Sequence, residues 1–236
     1  MNEVQAFYER YTYPHLGSYK VGLGPDQQSY KPGNAPTNFK GNILVAACGT
    51  VEACMVAQVN PQSFVLGVDF SSASIKIAKS IKRKGKISNL MLHRGDLTNF
   101  QVNIRFDLIL ANCCLHHIPD VDAALKNLAV LLKPEGVIRG TLYSKKSRPA
   151  TIRHMNDVFV QNGFTVKEAI HVLSEVKDPW FEKYNQHPHE VADTWLNPYF
   201  VEYDVGSAGE LLHCNGLEPT RIEDSYFISF EAKRRD

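Results

Sequence analysis

Four short segments carry residue types able to hold a nucleoside and do chemistry beside it. The first, Ala46-Ala47-Cys48-Gly49-Thr50-Val51-Glu52, joins small residues, which let backbone approach a ligand, to a helix start with unsatisfied amide groups. Asp69 lies about twenty residues on, where a βαβ unit sets a carboxylate over two vicinal ribose hydroxyls. With Ser71 and Ser72 it equally suits an N-cap for the next helix, so both readings stand. Gly95-Asp96-Leu97 and the run from Asn112 through Cys113, Cys114, His116 and His117 to Asp120 complete the set. Histidine titrates near neutrality, so His117, with His116 beside it, is the candidate general base.

The elements that must position these groups follow from periodicity. Near-continuous apolar runs at 43–47, 63–69, 90–93, 106–111 and 137–143 read as strands covered on both faces, hence a parallel sheet. Between them 51–59, 72–84 and 121–132 carry apolar residues three and four apart and read as crossover helices. Pro61, Gly85 and Asp120 punctuate them, and Lys133-Pro134-Glu135-Gly136 turns the chain into the fifth strand. The architecture is α/β, doubly wound, and each candidate residue falls at the carboxyl edge of a strand, where such sheets bind ligands.

The flanks differ. Aromatic residues crowd 7–14 and a Gly-, Pro-, Asn- and Gln-rich stretch follows at 22–38, which reads as a short helix and a long loop. Beyond about residue 150 an amphipathic helix spans 152–160, and 226–232 reads as a last strand. The His-, Pro- and Trp-rich stretch 171–208 reads as an insertion. We expect one domain, 1–236, comprising an N-terminal cap (1–40), a ligand-binding core (41–148) and a C-terminal part (149–236). Tyr8, Tyr11 and Tyr13, with Trp180, Phe181, Tyr184, Trp195, Tyr199 and Phe200, suit a lid over a substrate, a protein or homodimer interface, or simple packing against the sheet edge.

Composition narrows the partners. A net charge of +1 creates no field that demands nucleic acid or an anionic membrane, and the basic run 79–86 complements a helix C-terminus. The sequence has no apolar run of roughly 20 residues and no signal-peptide core, so we expect a cytoplasmic protein. Five cysteines, an odd number without CxxC pairs or zinc spacing, read as reduced thiols, with Cys113 and Cys114 as small apolar residues on a buried strand end. His187 and His189 lack metal-ligand spacing with an acidic partner.

ILVAACGT at 43–50, VLGVDFSSASIKIAK at 65–79, FDLILANCCLHHIPD at 106–120 and LLKPEGVIRGTLYSKKSR at 131–148 together resemble the class I S-adenosyl-L-methionine (SAM) methyltransferases. The resemblance is closest to a bacterial methyltransferase domain often attached to tetratricopeptide repeats, whose aromatic N-terminal motif is similar to YERYTYPHLGSY at 8–19. It implies a Rossmann-like, mostly parallel seven-stranded sheet whose last strand is antiparallel, SAM as cofactor, and a small-molecule or protein methyl acceptor. It also implies Ala47, Cys48 and Gly49 against the methionine part, Asp69 on the ribose, Phe70 beside the adenine, Asp96 on the adenine amino group with Leu97 packing nearby, and Asn112 near the sulfonium. In that family the His-His pair often serves structure, one ring bonding neighbouring backbone.

Two family glycines are Ala47 and Val51 here. Ala47 is tolerable at negative φ and costly at positive φ, and Val51 sets a branched side chain where the cofactor approaches. A catalytically silent methyltransferase-fold partner is therefore one rival reading. A dinucleotide oxidoreductase is the other, disfavoured because no Gly-x-Gly-x-x-Gly phosphate loop is present.

Overall fold

The computed structural model describes residues 2–15, 35–147, 149–184 and 187–235, and the side chains of Lys183 and Tyr184 lie outside the description. The expected long loop and the end of the 8–19 motif therefore fall mostly outside it, as does the contribution of Tyr184 to a lid.

A short helix α1 (Glu3–Arg10), capped by the Asn2 side chain, precedes the sheet. Then come β1 (Asn42–Ala46), α2 (Glu52–Val59), β2 (Phe64–Asp69), α3 (Ser72–Lys84), β3 (Leu90–Arg94) and β4 (Phe106–Asn112). A 3-10 turn (Leu115–His117) leads into α4 (Val121–Leu131) and β5 (Leu132–Tyr143). The C-terminal part holds α5 (Ala150–Gln161), α6 (Val166–Glu175), α7 (Pro179–Tyr184), α8 (Pro188–Trp195), α9 (Val205–Cys214), β6 (Leu217–Asp224) and β7 (Phe227–Arg234).

Seven strands form one sheet in the order β3-β2-β1-β4-β5-β7-β6. The first five are parallel and β7 runs antiparallel to both β5 and β6. The strand order reverses between β1 and β4, which opens a crevice at their carboxyl ends.

Side-chain alternation in β1 explains the layers. Ile43 and Val45 enter a core shared with Val56, Ala57 and Ile75 of α2 and α3, while Leu44 and Ala46 enter one shared with Leu125 and Leu128 of α4 and Leu212 of α9. A third cluster, Ile152, Phe159, Ala169, Leu173, Val191 and Trp195, knits α5, α6 and α8 together. Trp195 is fully buried there, Phe181 packs against the same cluster, and Trp180 stacks on Tyr226. The insertion is thus helical, and its tryptophans serve packing.

Two expectations need correction, and one strand of the expected seven is located only by the structure. Lys133–Gly136 does not precede the fifth strand but lies within β5, where Leu132 pairs with Phe106 before the register shifts at Leu108 and Val137. The tight fit explains the glycine, since a Cβ at Gly136 would lie 2.6 Å from the Phe106 carbonyl. The strand β6 has no counterpart among the apolar runs, because it is an edge strand of largely exposed residues with Pro219 at its irregularity. Cys113 is exposed rather than buried, with a left-handed φ of 48° that turns the chain out of β4.

A candidate cofactor cavity at the carboxyl edge

The crevice widens into a cavity of about 300 Å³. Its floor comes from the loop after β1 (Ala47, Cys48, Gly49), the end of β2 (Asp69, Phe70), the loop after β3 (Gly95 to Thr98) and the end of β4 (Asn112, Cys113). His117 and Asp120 close one side, and Tyr8, Tyr13 and Pro14 of the N-terminal segment close another. Of the candidate site residues only His116 is absent from these walls. Its ring is fully buried and stacked on Tyr143 at 3.7 Å, because the 3-10 turn points consecutive histidines in different directions.

Asp69 bridges two loops: its Oδ2 accepts from the Gly49 amide at 2.8 Å and its Oδ1 from the Ser71 amide at 2.8 Å. Ser71 itself caps α3, its hydroxyl accepting from the Ser74 amide at 3.1 Å, so Asp69 is not the cap. Burial pushes the Asp69 carboxyl up to about 6 against the pull of these two amides. Asp96 is exposed and folds its own turn, Oδ1 accepting from the Thr98 amide and hydroxyl, while Leu97 is buried against the core.

Ala47 takes the costly option, with φ at 49°, and Gly49 follows at 54°. A Cβ on Gly49 would stand 2.4 Å from the Tyr13 carbonyl, so only glycine lets the N-terminal segment lie over this loop. Thr50 fastens the segment there, its amide donating to Tyr13 O at 3.2 Å and its hydroxyl to Pro14 O at 2.6 Å. Val51 does not crowd the cavity. Its side chain is buried in the core under β1 and α2, because its φ of −132° turns it away at the helix start.

The N-terminal helix is held from two sides. The Glu9 carboxylate accepts from the Ser72 and Ala73 amides at 2.7 and 3.0 Å, occupying the N-terminus of α3. The Tyr8 hydroxyl donates to Asp193 at 2.7 Å and accepts from Asn197 at 2.9 Å. His117 Nδ1 lies 3.0 Å from the Tyr199 carbonyl, and a carbonyl only accepts, so Nδ1 carries the proton. In the neutral ring Nε2 is then the basic nitrogen.

Sequence reasoning missed Glu52 as a site residue, although it closes the first loop. The residue is 5% exposed, its Oε1 accepts from Asn112 Nδ2 at 2.6 Å, and burial pushes its carboxyl up to about 7. At the first position of α2 a glutamate ordinarily reads as a solvated complement to the helix dipole. Only the tertiary fold, which brings the start of α2 next to Asn112 at the end of β4, buries it.

The sheet order, the crevice at its reversal and a carboxylate at the end of β2 define a nucleoside-binding α/β protein. A family model described as a methyltransferase domain matches residues 40–192, and the chain belongs to that family of class I SAM-dependent methyltransferase domains. It is 24% identical over 213 residues to the uncharacterized protein syc1184_c of Synechococcus sp., a match covering 82% of this chain and 51% of that one. It is 30% identical over 99 residues to the demethylmenaquinone methyltransferase of Lactobacillus johnsonii, covering 40% and 41%. PKMT2 from Rickettsia typhi in complex with AdoHcy superposes with a TM-score of 0.69 at 17% identity, covering 85% of this chain and 50% of that one. The likeness in structure is one of fold. The chain spans about half the length, or less, of these curated relatives.

SAM is the cofactor of this class, and the residues present fit it. Glu52, Asp69, Asp96 and Asp120 line the cavity, whereas its described lining residues include no lysine or arginine. Such walls suit a ligand with a sulfonium and an ammonium and no phosphate, and they oppose the pyrophosphate of a dinucleotide.

Proposed function

We propose that this chain transfers a methyl group from SAM to a nucleophilic oxygen or nitrogen of a small molecule or a protein side chain. One observation carries the reading: a carboxylate-lined cavity at the carboxyl edge of β1, β2 and β4, in a chain of the methyltransferase-domain family. When bound, SAM supplies a methyl group already made electrophilic by its sulfonium.

The protein's share is to bind, orient and exclude water. Asp69, anchored by two backbone amides, accepts from the ribose hydroxyls. Phe70 and Leu97 pack on the adenine, Asp96 accepts from its amino group, and Ala47, Cys48, Gly49 and Asn112 hold the methionine part. His117 Nε2 takes the proton of an acidic acceptor, its ring oriented through Nδ1 by the Tyr199 carbonyl. Tyr8 and Tyr13 keep water from that side.

The motif resemblance supports kinship with the bacterial domains attached to tetratricopeptide repeats, and we read the chain as one domain working in the cytoplasm. Among the described residues no helix is long and apolar enough to cross a membrane. Calorimetric titration of ligand-free protein with SAM and S-adenosylhomocysteine, repeated on Asp69→Asn, tests the reading. Micromolar binding that weakens at least about tenfold in the variant is expected, the scale of one lost charge-assisted hydrogen bond. No binding at millimolar ligand would overturn it and leave a silent methyltransferase-fold protein.

A further inference from the structure

Glu52 is a buried carboxylate that the fold by itself does not use. It opens α2, yet instead of facing solvent it turns into the cavity beside Cys48, Asn112 and Cys113. Its one hydrogen-bond partner among the described residues is the neutral amide of Asn112, and no lysine, arginine or histidine there pairs with it. A carboxylate taken out of water with one neutral donor is costly, and a glutamine would keep the bond without the charge. A cation inside the cavity would offset that cost.

The cavity has two ends of different character. Asp69, Phe70, Asp96 and Leu97 gather at the β2 and β3 side, while Glu52 and Asn112 lie at the β1, α2 and β4 side. SAM carries both of its positive charges and its one carboxylate at its amino-acid end, which is net cationic, and no charge on its adenosine. We propose that Glu52 is the counter-ion of that cationic amino-acid end, a cofactor-binding residue contributed by helix α2. The assignment rests on the methyltransferase reading above.

The titratable groups facing Glu52 are the thiols of Cys48, Cys113 and Cys114 and the carboxyl of Asp69 across Cys48. Burial raises the Cys48 and Cys114 thiols. Loss of solvation raises that of Cys113 too, because its Sγ lies against Thr141 Oγ1 in the cavity wall although the residue as a whole is exposed, so all three stay neutral around pH 7. With its carboxyl pushed up by burial to about 7, Glu52 is partly protonated near neutrality in the ligand-free protein. A cation beside it favours the carboxylate, so binding releases a proton from Glu52.

The test compares wild type with Glu52→Gln, both shown folded by circular dichroism. Each is titrated with SAM, with S-adenosylhomocysteine, which keeps only the ammonium, and with methylthioadenosine, which has neither cation. Calorimetry in buffers of different ionisation heat counts the protons released. The variant is expected to bind SAM at least about tenfold more weakly and methylthioadenosine within about twofold, with loss of the proton released by wild type. An equal loss for S-adenosylhomocysteine identifies the ammonium as the paired cation, and an intact S-adenosylhomocysteine affinity identifies the sulfonium. Unchanged SAM affinity, or an equal fall for all three ligands, overturns the assignment. Failure of wild type to bind any of them removes the methyltransferase reading and the assignment with it.

Discussion

Ala47 holds a φ of 49° that glycine adopts without strain and that costs an L-residue about 1 kcal/mol. Ala47→Gly is therefore expected to stabilise the protein by about 1 kcal/mol, seen as a rise of about 2–4 °C in thermal midpoint. A lower midpoint would mean that the alanine methyl, which packs on the neighbouring core, outweighs the strain. The buried carboxyls give a second expectation. Asp69 rises from 3.8 to about 6 and Glu52 from 4.5 to about 7, both chiefly by loss of solvation. In each window the folded chain binds a proton that the unfolded chain has released, so stability is greatest below the lower value and falls as pH rises through the upper one. The loss is roughly 3 kcal/mol per group at most. Denaturant titrations from pH 4 to 8 should show Glu52→Gln gaining on wild type as pH rises, and a pH-independent gap would contradict the burial.

Helix α1 spans only eight residues, too few to be stable alone, so its place depends on what it docks against. Glu9 supplies that docking at the N-terminus of α3, where hydrogen bonds from the Ser72 and Ala73 amides outweigh the cost of burial and hold its carboxyl below the usual range. Glu9→Gln is expected to cost about 1 kcal/mol, the scale of a lost helix cap. It should also speed amide exchange in α1 without speeding it in β4, because the helix can leave while the sheet stays folded. Equal acceleration in both would show that α1 and the sheet unfold as one unit.

Across the whole molecule, packing remote from the cavity shapes its wall. Trp195 is fully buried in the cluster of α5, α6 and α8, and α8 also carries Asp193, the acceptor of the Tyr8 hydroxyl. Trp195→Ala is expected to cost about 3–5 kcal/mol by opening a cavity in that cluster. Because it loosens Asp193, cofactor affinity should fall as well, measured by titration below the variant's melting point. An unaltered affinity would show that the Glu9 and Thr50 contacts fix the N-terminal segment over the site without Asp193.

How much of this was legible in the sequence depended on how local each determinant is. Strands β1, β2 and β4 could be read because residues buried on both faces leave long apolar runs, as in 43–46 and 108–111. The edge strand β3, with Met91 exposed, and β7, which alternates buried and half-buried residues, showed shorter apolar stretches and are not covered on both faces. The candidate residues at the carboxyl edge followed from strand ends, since a strand's end fixes where the next loop emerges. The edge strand β6 left no such trace, and neither did the division of labour between His116 and His117, which one short turn and Tyr143 decide. Composition and periodicity by themselves determined an α/β parallel sheet with its ligand edge. Tertiary structure alone decided that Ala47 lies at positive φ, that Tyr13 and Pro14 cover Gly49, and that Glu52 is a cavity carboxylate. Periodicity reports which face of an element is buried, whereas the cover over Gly49 and the burial of Glu52 arise from contacts between segments about 35 to 60 residues apart, and the φ of Ala47 is a backbone angle on which the pattern of apolar residues is silent.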